Sequence, residues 1–399
     1  MKKMLTNLDV YNKRVLVRVD FNVPLKNGEI VSEKRILESL PTIKYLLANN
    51  ARIILCSHLG RPEGEVKQEL SLKPVFERLQ KLLPNVKMQF CEDVLSENTS
   101  KIINCLIGGQ IAMLENIRFY KGEENNDEEF AKTLANLCDY FVLDAFACAH
   151  RKHASTFGII KYKPSVFGFL INKELLAFEK VLKNAEKPVV TILGGAKITD
   201  KIALTDNLLN NTDILLIGGG MCFTYLKALK AQVGKSLVDE SKVDYCYQII
   251  KNAIQKNIKI VLPVDFICSN QLSSDAVPYI CKMGEIPDEF MGLDIGPKTV
   301  KMFSKIIKKA KTIIWNGPMG AYEYNQFSNG SKGIAIAVAK NKKAYSIVGG
   351  GDVVSCLEKF GCSEFISHIS TGGGASLKLL EGKSLPCIEE IRNQVITQE

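Results

Sequence analysis

The chain has 399 residues, a formal net charge of +9, and 46% hydrophobic and 24% charged residues. That length exceeds the roughly 250–300 residues at which single cores stop growing, and the composition is that of a globular protein, so two domains are expected and a fibrous or disordered chain is excluded. No apolar run approaches the roughly 18 residues of a membrane span, and Met1-Lys2-Lys3-Met4-Leu5 leads into Thr6-Asn7-Leu8-Asp9 rather than an apolar export segment.

An unexported, cytoplasmic protein is therefore expected, with no membrane partner. Its twelve Cys contain no C-x-x-C pair, which excludes zinc ribbons and thioredoxin-type redox chemistry. The basic excess is carried by 43 Lys against 9 Arg. A Lys-coated surface accounts for most of it, and the few Arg carry more information, because planar bidentate anion binding belongs to Arg.

Short Val- and Ile-rich runs, each followed by a helical pattern, start at Arg14–Val19 and recur at Arg52–Cys56, Val86–Phe90, Gln110–Leu114 and Tyr140–Leu143. Continuous apolar strands between helices indicate parallel sheets covered on both faces, whose ligands bind beyond the carboxyl ends of the strands. Those ends carry Asp20-Phe21-Asn22, Ser57-His58-Leu59-Gly60-Arg61, Glu115-Asn116-Ile117-Arg118 and Asp144 to Arg151. Arg35, Arg61, Arg118 and Arg151 with His58 are expected to form one basic cluster for a small polyanion, with Asp20 and Asn22 accepting from hydroxyl groups. The competing reading is four unrelated surface Arg. The four His show no metal-ligand spacing.

From Phe167 to Lys183, apolar residues at 171, 175, 178 and 182 mark one face of a helix that Lys187-Pro188 closes. The predicted division is 1–166, then 167–381 beginning with this connecting helix 167–183, with a tail 382–399 after the turn at Glu381-Gly382-Lys383. The second half repeats the pattern with runs at Val189–Leu193, Ile214–Ile217, Lys259–Leu262, Thr312–Trp315, Ala344–Val348 and Phe365–Ile369. Five runs and six runs imply two doubly wound α/β domains with parallel, Rossmann-like sheets.

Five strand ends of the second half are glycine-rich: Gly194-Gly195, Gly218-Gly219-Gly220, Asn316-Gly317-Pro318, Gly349-Gly350-Gly351-Asp352 and Gly372-Gly373-Gly374. Such loops bring backbone N–H groups to an anion, and five in one domain exceed what tight turns require. No P-loop exists: Gly234-Lys235-Ser236 resembles its end, but position 229 is Leu. No intact G-x-G-x-x-G follows the first strand of either half, which weighs against a dinucleotide dehydrogenase. Lys197 and Lys201, four apart at an expected helix start, are candidates to hold charge on a phosphoryl group, with a solvated Lys pair as the alternative. Asp352 suits a carboxylate holding Mg²⁺ against phosphate, or an ordinary helix N-cap. Glu323 suits ribose hydroxyls, or the surface.

Together these residues resemble the phosphoglycerate kinase family from Leu8 to about Glu390. The landmarks are Arg14–Leu25 (RVLVRVDFNVPL), Ser57–Pro62 (SHLGRP), Glu115–Phe119 (ENIRF), Gly194–Lys201 (GGAKITDK), Gly218–Thr224 (GGGMCFT), Trp315–Gly320 (WNGPMG), Gly349–Asp352 (GGGD) and Ser370–Lys383 (STGGGASLKLLEGK). The resemblance implies reversible phosphoryl transfer from 1,3-bisphosphoglycerate to ADP, giving 3-phosphoglycerate and ATP with Mg²⁺, by a monomer that closes about a hinge. It assigns phosphoglycerate to Asp20, Phe21, Asn22, Arg35, His58, Leu59, Gly60, Arg61, Arg118 and Arg151. It assigns nucleotide to Gly218, Gly219, Gly292, Glu323, Gly350, Gly351, Asp352 and Val353, with Lys197 and Lys201 at the phosphates and Asp352 at the metal. Arg35, Lys197 and the Gly372–Gly374 turn, with Gly373 at its centre, are implied at the moving phosphoryl group, and the C-terminal tail is implied to fold back on the first domain.

Two positions depart from the family pattern. Ala147 stands for a usual Gly, so the turn before Arg151 is expected to differ slightly. Cys387 also stands for a usual Gly, and a positive φ there would strain it by about 1–2 kcal/mol. Rival readings are a non-catalytic two-lobed anion or nucleotide binder, a different sugar-phosphate kinase, and a nucleic-acid binder. The last lacks any basic block interleaved with aromatics, so no nucleic-acid partner is expected.

Overall fold

A computed structural model describes residues 3–196 and 198–394, with Asp200 described by its backbone alone. It divides into two compact units: the described residues of Met1–Leu176 with Ser384–Glu399, and those of Ala177–Lys383.

The first unit opens with β1 (Arg14–Val19), a β2–β3 hairpin (Leu25–Lys26, Glu29–Ile30) and α1 (Lys34–Ala48). It continues through β4 (Arg52–Cys56), α2 (Lys73–Leu82), β5 (Met88–Cys91), α3 (Glu97–Asn104), β6 (Ile111–Leu114), α4 (Lys121–Glu124) and α5 (Glu128–Asn136). Next come β7 (Tyr140–Asp144), β8 (Ser165–Phe167) and the start of α6 (Phe169–Leu182). Six strands pair in the order β5-β6-β4-β1-β7-β8, all parallel. Val15, Val17, Val19, Ile53 and Leu55 lie in one buried cluster.

β8 is a correction. Its three residues Ser165–Phe167 pair with β7, so the sheet has six strands rather than five and the helix expected from 167 begins at Phe169. Three residues are too few for a periodic signal, and Phe167 satisfies either pattern.

The start of α6 is fixed by groups from two other elements. Asp144, at the end of β7, accepts the N–H groups of Leu170 (2.9 Å) and Ile171 (3.3 Å), while Thr42 of α1 accepts that of Phe169 (2.9 Å). Gly168 is required between them, since a Cβ there would lie 2.3 Å from the Asp144 carboxyl carbon. Residues after 383 return to this unit as α14 (Pro386–Asn393). Cys387 sits in its first turn without a positive φ, and its thiol donates to the Arg151 carbonyl (3.2 Å), so the strain expected there is absent. Ala147 lies in a 3-10 turn, Phe146–Cys148, and also lacks a positive φ.

In the second unit the elements are β9 (Val189–Leu193), α7 (Ile202–Leu208), β10 (Ile214–Ile217), α8 (Cys222–Ala228), α9 (Val243–Gln255) and β11 (Lys259–Val261). They continue with β12 (Asp265–Ser269), β13 (Tyr279–Lys282), β14 (Met291–Ile295), α10 (Pro297–Ile307), β15 (Thr312–Asn316) and α11 (Asn329–Lys340). β16 (Tyr345–Gly349), α12 (Gly351–Lys359), β17 (His368–Ile369) and α13 (Gly374–Leu380) complete the unit. The parallel sheet runs β11-β10-β9-β15-β16-β17 over a core containing Trp315, Ile192 and Phe303.

An antiparallel sheet, β13-β12-β14, was not expected. β13 exposes Tyr279 and Ile280, so no apolar-inward alternation announces it. The strand expected at Phe365–Ile369 is only His368–Ile369, preceded by a 3-10 turn at Ser363–Phe365. α7 starts at Ile202, after a 3-10 turn Thr199–Lys201, rather than before the Lys pair.

Two buried carboxyls make stability depend on pH. Burial pushes Asp144 up to about 7 and Asp294 up to about 8, because the charged form is poorly solvated there. Each group holds its proton more tightly folded than unfolded. Stability is therefore fullest below the unfolded carboxylate range and is lost as pH rises through about 7 to 8. The Tm of the Asp144→Asn, Asp294→Asn double variant is expected to fall by several degrees less than wild type between pH 5 and pH 9, in calorimetric scans. Parallel Tm curves would contradict this origin.

Candidate active site

In the first sheet, β4 lies on one side of β1 and β7 on the other, the switch point at which an open α/β sheet leaves a crevice. The residues that follow these three strands converge there. Burial and then Arg18, Arg118, Arg151 and Arg35, in that order, depress the basicity of His58 well below the ordinary imidazole value. Four guanidiniums thus bear on one buried ring: Arg35, Arg118 and Arg151 of the expected set, with Arg18 in the place expected for Arg61.

Asp20 is the direct counter-charge, its Oδ2 accepting from Arg35 Nη1 at 2.6 Å. Asn22 Oδ1 accepts the Gly60 N–H at 2.9 Å, joining the loops after β1 and β4. Phe21 and Leu59 are buried, so their side chains hold these loops to the core. Arg118 is 2% exposed; its Nη1 donates to the Gly60 carbonyl (2.9 Å) and its Nε faces Glu124 at 3.3 Å. Its Nη2 is buried with no hydrogen-bond partner among the described residues. A buried guanidinium N–H without an acceptor costs about 1–3 kcal/mol or more, which an anion in the crevice would recover. Arg151 is half-buried, its Nε donating to His150 Nε2 (3.3 Å), and Arg61 is exposed at the rim.

Sequence reasoning missed the support beneath this cluster. Asn116 donates to the carbonyls of Leu59 (2.7 Å) and Leu70 (2.9 Å), setting the turn that aims Arg118. Arg18, Ser155 and Glu123 form a fully buried polar chain. Glu123 sits in a Lys-Gly-Glu-Glu stretch that reads as solvated helix, so nothing local marked it. Asp20, His58 and Cys148 offer ligand atoms within 4.8 Å of one another, but the surrounding guanidiniums make the set unsuited to a cation.

The candidate site of the second unit is built mainly from backbone loops rather than from clustered charge. The loops after β9, β10 and β15 pack edge to edge, Gly195 N–H donating to the Pro318 carbonyl (2.8 Å) and Gly219 N–H to that of Met319 (3.0 Å). Gly219 has φ +61°, and a Cβ there would lie 2.6 Å from the Gly195 nitrogen, so no other residue fits. These loops, with Asp352 and Glu323, line a cavity of about 520 Å³ whose other wall includes Leu237, Leu272, Met291 and Gly292. That size and mix of apolar wall and backbone polar groups suit a small-molecule ligand.

The expected residues divide clearly. Gly219, Gly292, Glu323 and Asp352 line the cavity. Gly218 instead packs against Met319, and the Val353 side chain is in the core. Gly350 is the N-cap of α12 (φ +106°), so Asp352 is not the cap but a first-turn residue, exposed and close to the helix terminus. Lys201 donates to Asn316 Oδ1, and Asn316 Nδ2 donates to the Gly349 carbonyl (2.6 Å), linking the ends of β15 and β16. Gly373 caps α13 at φ +48° with open space around it. Lys197 lies outside the described residues. The Lys235 of the P-loop-like stretch is paired with Glu289 (2.7 Å), while Ser236 accepts the Gly292 N–H (2.9 Å). That stretch is therefore cavity wall. Lys359 anchors the Glu323 segment through the Tyr322 (2.8 Å) and Glu323 (3.3 Å) carbonyls.

The family model for phosphoglycerate kinase matches residues 5–383 of the chain. A phosphoglycerate kinase of Thermosipho africanus is 49% identical over 396 residues, covering 98% of each chain. One from Finegoldia magna is 48% identical, covering 98% of this chain and 99% of its own. Among solved structures, phosphoglycerate kinase from Coxiella burnetii superimposes with a TM-score of 0.90 at 42% identity, and that from Pyrococcus horikoshii OT3 with 0.83 at 31%, each covering 98% of both chains.

The fold itself does not require glycine at position 351. Gly351 is the first residue of α12, lacks a positive φ, and a Cβ there would meet nothing within 4 Å. Gly351→Ala is expected to leave Tm unchanged or slightly raised, yet weaken MgADP at least tenfold by calorimetric titration. Gly219→Ala, in contrast, lowers Tm. Undiminished affinity in Gly351→Ala would show that no phosphate uses that space.

Proposed function

The chain belongs to the phosphoglycerate kinase family, whose members transfer phosphate to a carboxyl group in glycolysis, and on that footing we propose how its two half-sites divide the work. The first unit holds phosphoglycerate and the second holds ADP or ATP. The observation that carries this reading is the convergence of Arg18, Arg35, Arg118 and Arg151 on His58, with one buried Arg118 N–H unspent. Arg35, Arg61, Arg118, Arg151 and His58 bind the substrate's anionic groups, while Asp20 and Asn22 accept from its hydroxyl. Gly219, Gly292 and the α12 terminus at Gly350 and Gly351 take the nucleotide, with Glu323 toward the ribose and Lys201 toward the phosphates.

In the direction of ATP formation, a β-phosphate oxygen of ADP attacks the acyl phosphate. The new P–O bond forms as the bond to the carboxylate oxygen breaks, and no proton moves. Both the attacking and leaving oxygens are ionised at neutral pH, so no general base is required. The neutral state of His58 fits that requirement. What remains is positioning and cancellation of charge on the transferring group, assigned to Arg35, Lys197 and the Gly373 turn.

Mg²⁺ fits Asp352, an exposed hard-oxygen donor on the cavity wall that leaves the rest of the coordination shell to phosphate oxygens and water. The ion would neutralise phosphate charge. Substrates held on separate units must be brought together for direct transfer, and closure that excludes water protects the acyl phosphate from hydrolysis. The protein is read as a cytoplasmic monomer; no helix among the described residues is long and apolar enough to cross a membrane.

The test is ATP-dependent phosphorylation of 3-phosphoglycerate, coupled to reduction of the product and read as NADH loss. Mg²⁺-dependent turnover is expected. Folded protein that binds both ligands without turnover would establish the non-catalytic alternative. Lys197→Ala is expected to lower kcat by two to three orders of magnitude, about 3–4 kcal/mol of transition-state stabilisation, with modest change in nucleotide affinity. Near-normal kcat would remove Lys197 from the mechanism. Small-angle scattering should show compaction only with both ligands present, and unchanged dimensions would contradict closure.

A further inference from the structure

Glu123 is 0% exposed and has no direct role in the reading above. Its two oxygens are both spent on Ser155: Oε2 accepts the backbone N–H (2.9 Å) and Oε1 accepts the hydroxyl proton (2.7 Å). The Ser155 hydroxyl has one proton, committed to Glu123, so it meets Arg18 Nε–H (2.8 Å) as an acceptor. Arg18 spends Nη1 on the Val19 carbonyl (2.7 Å) and turns Nη2 to His58 Nδ1 at 3.1 Å. A guanidinium only donates, so Nδ1 accepts and the proton of a neutral ring resides on Nε2.

We propose that Glu123 is a positioning residue for the reaction, acting through Ser155 and Arg18 to fix His58 as a neutral ring that donates through Nε2–H to an anionic oxygen of the substrate. The proposal rests on the reading that the basic cluster holds phosphoglycerate. The carboxylate fixes the Ser155 hydroxyl as an acceptor toward Arg18, and the donor-only guanidinium held there fixes the ring's Nδ1 as an acceptor. With Glu123 neutral, the Ser155 hydroxyl is free to turn, and Arg18 loses the carboxylate charge 4.0 Å away.

The other groups around the ring favour the same state. Arg118, Arg151 and Arg35 oppose a positive imidazole, and burial opposes it further. Cys148 Sγ lies 4.0 Å from Nδ1, with its thiol kept protonated by burial. Asp20 is engaged by Arg35. At the far end, His153 Nδ1 is 3.7 Å from Glu123. Burial raises the Glu123 carboxyl, but His153, Arg18 and Ser155 outweigh it and the group stays ionised. The same carboxylate residue accepts the Ala154 N–H on its backbone carbonyl (2.9 Å), so the loop carrying Arg151 is pinned by the same element.

The test uses the full-length protein with ¹⁵N-labelled His. Long-range ¹H–¹⁵N correlation is expected to show His58 with Nδ1 unprotonated and Nε2 protonated, unchanged from pH 6 to pH 8, and the Nε2 signal moving when 3-phosphoglycerate is added. Ser155→Ala breaks the hydroxyl link while leaving the Glu123 charge in place. It is expected to mix the ring tautomers and raise KM for 3-phosphoglycerate about five- to thirtyfold, with KM for ATP and kcat within about threefold. Glu123→Gln should act in the same direction and more strongly, and Ser155→Ala decides the matter if Glu123→Gln does not fold. A protonated Nδ1 in wild type, or unaltered ring signals in Ser155→Ala, overturns the relay. Altered ring signals with unchanged KM overturn its role in binding. A His58 signal that ignores saturating 3-phosphoglycerate overturns instead the assignment of this cluster to the substrate.

Discussion

Like charges held together against their repulsion are the constraint on which the first unit depends. Four guanidiniums bear on one imidazole, and among the described residues the ion pairs that stand against them are Asp20 at 2.6 Å from Arg35, Glu124 at 3.3 Å from Arg118 and Glu123 at 4.0 Å from Arg18. Such a set persists when each side chain is locked by something other than its charge. Arg18 is gripped by Ser155 and Val19, Arg118 by Gly60, and the loops themselves by Asn22 and Asn116. The remaining imbalance favours an anionic ligand, which converts part of the fold's electrostatic cost into binding.

The second unit is built by a different route. Its cavity is walled by apolar side chains and by loops whose backbones touch, and the Lys235 of its wall is paired with Glu289. The N–H groups of Gly195, Gly219 and Gly292 are spent within the wall, whereas those at the α12 terminus carry no net charge and need no counter-ion. They suit a ligand that brings its own cation and that leaves after every turnover. The Arg set suits a small polyanion that must be oriented through both ends. Phosphoryl transfer between ionised oxygens needs no general base.

Much of this was legible in the residues because strand ends define where ligands bind. Apolar runs rich in Val, Ile and Leu located β1, β4, β7, β9 and β10. Topology alone then brings several of the Gly and Arg that follow them to the strand ends of one sheet edge. What stayed hidden has a common cause: partners far apart in sequence. Glu123 reads as a solvated residue until the fold sets it against Ser155, 32 positions away. Lys359 gives no sign that it holds the Glu323 segment. The short β8 and exposed β13 lack the length or alternation from which a strand is read. Cys387 would be strained only at a positive φ; its backbone is instead helical and its thiol donates to a carbonyl.

The central claim is that phosphoglycerate and nucleotide occupy separate surfaces, each built by one unit. Hydrogen–deuterium exchange with one ligand at a time tests it most directly. 3-Phosphoglycerate alone should slow exchange across 18–22, 57–61, 116–118 and 146–156, and MgADP alone across 194–196, 218–220, 317–323 and 350–353. Protection of the same segments by both ligands, or of the second set by 3-phosphoglycerate, would contradict the account.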